Sequence, residues 1–167
     1  HAPYFCRTPA TPSPDGDGLE RSTAEHPWQL LSAEGGKRAR HPRQLLHKVK
    51  AGANQLLAVQ ISPGQQPDAD LARQLEKPGA AVTRISVDVM IQEDVPLRIR
   101  ALCRTESNGG STLSEAVKIT DSGIWKRNLT LTFPKPVTPG ADDLIGFRIE
   151  TISRKAATVL FDNVRAE

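Results

Sequence analysis

Apolar residues recur at every second position of this chain, in one stretch after another. In "VPLRIRALCRT", Leu97, Ile99, Ala101 and Cys103 share one side, and Arg98, Arg100, Leu102 and Arg104 share the other. Successive side chains of a strand point to opposite faces, so such a segment buries its apolar half only as part of a sheet. "AAVTRISVDVMIQ" places Val82, Ile85, Val87, Val89 and Ile91 mostly on alternate positions. "GIWKRNLTLTFP" sets Trp125, Arg127, Leu129, Leu131 and Phe133 against Lys126, Asn128, Thr130 and Thr132. "LIGFRIETIS" turns Ile145, Phe147 and Ile149 inward, with Arg148 and Glu150 outward. "NQLLAVQIS" and the closing "ATVLFDNVRA" add two more strands.

The runs are separated by "NGGS" (108–111), "DSG" (121–123) and "TPGADD" (138–143), the residue types that tight turns require. Short strands with regular turns predict an all-β antiparallel sandwich of the jelly-roll kind. One helical candidate stands among them: "PDADLARQLEK" from Pro67 to Lys77. Asp68 or Asp70 could cap it, Leu71 and Leu75 share a face, and Pro78-Gly79 would stop it. Residues 1–18 hold four prolines and two Asp-Gly pairs, the composition of an extended arm. The sandwich is expected over 19–167, one domain with no internal repeat.

Charge narrows the partners. Twenty-two Lys and Arg against 19 Asp and Glu give +3, which is no nucleic-acid signature. The densest basic stretch, Gly35 to Lys50, reads as a solvated loop or as an anion-binding patch. No apolar run approaches the ~18 residues of a membrane span. Cys6 and Cys103 could form one disulfide or remain two thiols. The chain opens on His rather than Met and reads as a piece of a larger protein.

Catalytic patterns find little support. There is no nucleophile elbow, phosphate loop, HExxH or CxxC, and His1, His26, His41 and His47 all lie in the first third. The carboxylate pairs Glu93-Asp94 and Asp142-Asp143 fall in loops. Asp162, inside the final apolar run, has two readings. It ends the strand on backbone amides, or it shares a hard cation with Glu20 if first and last strands are neighbours.

"DGLERSTAEHPWQLLSAEGG" (17–36) resembles the opening of jelly-roll carbohydrate-binding modules of the family 4, 9 and 22 type, a galactose-binding-domain-like sandwich. Gly18, Leu19, Glu20 and Trp28 match that pattern, with Leu in place of the usual Phe. "KVKAGANQLLAVQIS", "GIWKRNLTLTF" and "LFDNVRAE" resemble later strands of such modules in the same order. The resemblance implies a structural calcium held by Glu20 and Asp162. It also implies a sugar site built on exposed aromatics, and here aromatics are only 4 % of the chain. Trp125 and Trp28 read mainly as core, and Trp28 is also a ligand-binding candidate. The alternation offers another surface: Arg84, Asp88, Arg98, Arg100, Arg104, Arg148 and Glu150 all face away from the apolar residues. If their strands share one sheet, that face suits an anionic polysaccharide, since guanidinium forks match carboxylate and sulfate. The other reading is a solvated face of cross-strand Arg–acid pairs.

The expectation is therefore a noncatalytic carbohydrate-binding module. It would be monomeric, part of a larger secreted, periplasmic or cell-surface protein, and would contact polysaccharide and neighbouring domains. The alternative is a structural or protein-interaction sandwich accessory to a catalytic domain.

Overall fold

The computed structural model describes Leu19 and residues 26–33, 45–51, 54–61, 68–105, 110–153 and 155–167, without the side chains of 32, 45–51 and 54–56. The expectations for the arm at 1–18, for Cys6 and for Glu20 lie outside these residues.

Two antiparallel sheets carry the described fold. The first contains β1 (Gln29–Ser32), β4 (Asp68–Arg73), β10 (Leu144–Thr151), β6 (Leu97–Thr105) and β7 (Gly110–Leu113) in that spatial order, with β8 (Val117–Ile119) also paired to β6. The second runs β2 (Leu45–Ala51), β3 (Asn54–Ile61), β11 (Ala157–Ala166), β5 (Val82–Ile91) and β9 (Lys126–Val137). Their inner faces meet in one core, where the expected alternation holds: Leu97, Ile99, Ala101, Cys103, Ile145, Phe147 and Ile149 from one sheet pack against Ile85, Val87, Val89, Leu131, Val159 and Phe161 from the other. Phe147 stacks on Phe161 at 4.8 Å and on Trp28 at 6.3 Å, so an aromatic row joins the sheets.

The helix expected at 67–77 is absent; that segment forms β4 and its exit. β4 lies between β1 and β10, and its ladders with both strands give the backbone hydrogen bonds that a helix would have made internally. Leu71 and Leu75 both reach the core, but from an extended chain. Likewise, the second half of the basic stretch expected as a loop is strand β2. Gly146, opposite Ala72, is required by a close approach. A Cβ there would clash with the Leu71 carbonyl oxygen and sit 2.7 Å from the Ala72 Cα.

Leu19 is tied on both sides of its peptide. Its N–H donates to the Val164 carbonyl of β11 at 2.7 Å. Its carbonyl accepts from Trp28 Nε1 at 2.7 Å and from Arg73 Nη1 at 2.9 Å. Arg73 is 1 % exposed, a guanidinium held inside the sandwich by this carbonyl and by that of Gln74. Cys103 is a free thiol, and burial, with the nearby Asp143 carboxylate, pushes its pKa up to about 11.

Candidate ligand-binding faces

The residues expected to share one arginine-rich face divide between two. Arg98, Arg100 and Arg104 on β6 and Arg148 and Glu150 on β10 lie on the outer side of the six-stranded sheet. Register sets Arg98 against Glu150 and Arg100 against Arg148. Asp68 and Asp70 of β4 join them, opposite Glu150 and Arg148. Arg84 and Asp88 are on β5, in the other sheet. Trp28 is in neither face: it is 3 % exposed, with its indole N–H spent on Leu19, and no sugar can stack on it.

On the six-stranded face, Asp70 is 0 % exposed and accepts from Arg148 through both oxygens, Nε at 2.7 Å and Nη2 at 3.0 Å. Arg104 Nη1 adds a third bond at 3.2 Å. The fork–fork geometry with Asp70 raises the Arg148 pKa despite its burial. Arg100 donates to Glu150 at 3.1 Å and to the Ser114 carbonyl at 3.1 Å. Burial and the neighbouring Glu150 raise the pKa of Asp68; Arg148 opposes them. Arg98 and Lys118, Cα partners on β6 and β8, are exposed at the edge. Beside this polar field lies a second apolar cluster: Ala72, Leu102 and Leu144, with Leu31 and Leu113 against it.

The outer side of the five-stranded sheet is organised around Asp88. A β-bulge interrupts the pairing of β5 with β9 between Val87 and Val89, and another interrupts β11 between Asp162 and Arg165. Asn128 (φ 57°) and Asn163 (φ 51°) take left-handed backbone there, the conformation Asn tolerates better than other side-chain-bearing residues. Asp88 accepts from the Asn128 amide at 2.6 Å, Asn163 Nδ2 at 2.8 Å and Arg127 Nη1 at 3.1 Å. Burial alone would raise its pKa; these donors outweigh burial and lower it. Arg127 lies over the Trp125 ring, 5.1 Å from the centroid. Trp125, expected in the core, is half-buried instead, and the reason is the bulge at Asn128. One extra residue reverses the alternation and moves Trp125 and Arg127 out of phase with Leu129.

Asp162 is half-buried on this sheet and accepts from the Asn163 N–H at 2.9 Å. Among the described residues, no group of three His, Cys, Asp or Glu gathers as a metal cluster would.

No family model matches the chain. No curated protein matches it. Solved structures do. A family 28 carbohydrate-binding module specific for non-crystalline cellulose aligns with a TM-score of 0.57 at 12 % identity, over 95 % of this chain and 99 % of that one. The N-terminal cellulose-binding domain of Cellulomonas fimi β-1,4-glucanase C aligns with a TM-score of 0.56 at 16 % identity, over 95 % and 97 %. The chain has the β-sandwich fold of carbohydrate-binding modules. The same sandwich fits within an arabinose-bound α-L-arabinofuranosidase (TM-score 0.55, 12 % identity), covering 83 % of this chain but only 22 % of that enzyme. Among the described residues, no helix is long and apolar enough to cross a membrane.

Proposed function

We propose that this chain is a noncatalytic carbohydrate-binding module and that the outer face of its six-stranded sheet receives the polysaccharide. The observation that carries this reading is the near end-to-end match to two cellulose-binding modules, over 95 % of this chain in each case. The face itself supports it: planar guanidinium and carboxylate groups are held rigidly in register beside a strip of small and apolar side chains. Rigid, pre-ordered polar groups bind hydroxyl-rich ligands without a large ordering cost.

The finer expectation, an acidic polymer, rests here on Arg98 and Lys118. Arg100, Arg104 and Arg148 are engaged by Glu150 and Asp70, but Arg98 and Lys118 stand together and exposed at one edge. An acidic chain would cross that edge, and a neutral one would lie along the apolar strip. Isothermal titration of the full chain with cellohexaose and with polygalacturonate, at low and high salt, tests the proposal. Binding to either polymer supports the module. Salt-sensitive binding to polygalacturonate that Arg98→Ala with Lys118→Ala abolishes supports the acidic reading. Silence with both would favour a second reading, a structural sandwich accessory to a catalytic domain, which the match inside the arabinofuranosidase also supports. A secreted, periplasmic or cell-surface setting follows from the polysaccharide proposal and stands or falls with it.

Calcium at Asp162 and Glu20 is likewise a proposal. The Leu19–Val164 bond supports it, because it brings the residue preceding Glu20 against β11, two positions from Asp162. The Leu19 carbonyl would not be a ligand, since Trp28 and the buried Arg73 guanidinium already occupy it. If the ion binds, calcium raises the melting temperature, chelator lowers it, and Asp162→Ala removes the response.

A further inference from the structure

We infer a second ligand-binding site on the outer side of the five-stranded sheet, where Trp125, Arg127, Asn128 and Asn163, arranged around Asp88, would bind the hydroxyl groups of a neutral saccharide. It is independent of the six-stranded face and lies on the opposite side of the sandwich.

The argument begins with the two asparagines. Each sits at a bulge on one neighbour of β5, in left-handed backbone, with its side chain exposed. Such positions are costlier than ordinary strand and gather where a side chain must be aimed. Their amides are aimed by charged partners that leave no choice of orientation. Arg165 Nη2 can only donate, and it reaches Asn128 Oδ1 at 3.2 Å, so Asn128 Nδ2 is the end turned away. Asp88 is ionised and only accepts, and it holds Asn163 Nδ2 at 2.8 Å, so Asn163 Oδ1 is the end turned away. A donor and an acceptor are thus offered on strands two spacings apart, about 10 Å across β5. A sugar hydroxyl both donates and accepts, and hydroxyls on successive residues of an oligosaccharide can satisfy both amides; a simple anion can satisfy only the donor.

The flat group turned to solvent is the Arg127 guanidinium, backed by the half-buried indole of Trp125. Trp125 is the one tryptophan outside the core, and Arg127, 62 % exposed, extends over its ring. Asp88 holds Arg127 by one nitrogen and neutralises it, which weakens the attraction for an anion while leaving further N–H groups to donate.

The experiment is a titration of the 15N-labelled full chain with cellohexaose and with xylohexaose. The side-chain amide signals of Asn128 and Asn163 and the indole signal of Trp125 are followed. The site predicts that all three move together with one of these probes, unchanged by salt. Trp125→Ala should weaken binding about tenfold, as loss of an aromatic anchor does. Asn163→Gly is the variant that protects the test from misfolding, because glycine adopts φ near 51° freely while removing the amide; it should fold normally and bind more weakly. If these signals stay still with both probes, the inference is overturned, even where signals of the six-stranded face move. A control titration with polygalacturonate that alone moves them, and loses its effect in high salt, would overturn it too, making the cluster an anion site at Arg127.

Discussion

Asp70 and Asp88 are buried carboxylates on opposite sides of one sandwich, and they are satisfied in different ways. Asp70 takes two guanidiniums, Arg148 and Arg104, and all partners are largely out of water. Asp88 takes one exposed guanidinium, a backbone amide and a side-chain amide. In the first arrangement charge answers charge, and two long side chains are spent on one carboxylate. In the second, the donors have other ends left over, and those ends face solvent. A buried acid can therefore either fix its partners' geometry or leave their spare ends free, depending on whether those partners are charged forks or amides.

The contrast is open to mutation. Asp70→Ala leaves two poorly hydrated guanidiniums without their counter-charge and should cost about 3–5 kcal/mol, read as a lower urea midpoint. A cost near that of a surface ion pair would remove the distinction between the two faces. Asp88→Ala should cost less, about 1–3 kcal/mol, for three lost hydrogen bonds. Its effect should depend on pH in a definite direction. The folded carboxyl titrates below its ordinary 3.8, so its stabilisation is present above that value and disappears as pH falls through the folded pKa. The gap between wild type and Asp88→Ala should therefore close in strong acid. Asn128→Gly should change stability by less than about 1 kcal/mol, because relief of left-handed backbone offsets the lost bond to Arg165. Smallest of all is Asp68→Asn. Its folded pKa is raised, so the native state disfavours the charged form and stability falls as pH rises through that pKa. The variant should match wild type in acid and be slightly more stable at neutral pH, by within about 0.5 kcal/mol.

Period-two alternation made most of the sandwich legible, since a strand with one buried face writes that face into every second residue. β4 was not legible for the same reason. Ala69, Asp70, Leu71, Ala72 and Arg73 are buried on both sides, so no alternation remains, and the Leu71–Leu75 spacing imitates a helix. Arg98, Arg100, Arg104 and Arg148 could be assigned to an outer face, but their sheet could not. β5 pairs with β9 and β11, both distant in sequence, and this carries Arg84 and Asp88 to the other side. The Asp88 cluster was hidden by its bulges: counting by twos through Asn128 puts Trp125 in the core, and one residue of slip takes it out. The only signal was the residue type, an Asn in each strand where left-handed backbone is needed.

The Leu19 peptide has a mechanical consequence. It bonds Val164, while the Glu167 carbonyl accepts from Thr83 and Arg84 at 2.6 and 3.0 Å, so Leu19 and Glu167 are held near each other along β11. A pull applied between those two points would load that short stretch and the β5–β11 ladder first, with little of the tension crossing the aromatic row. The two outer faces would keep their shape while that stretch took the strain.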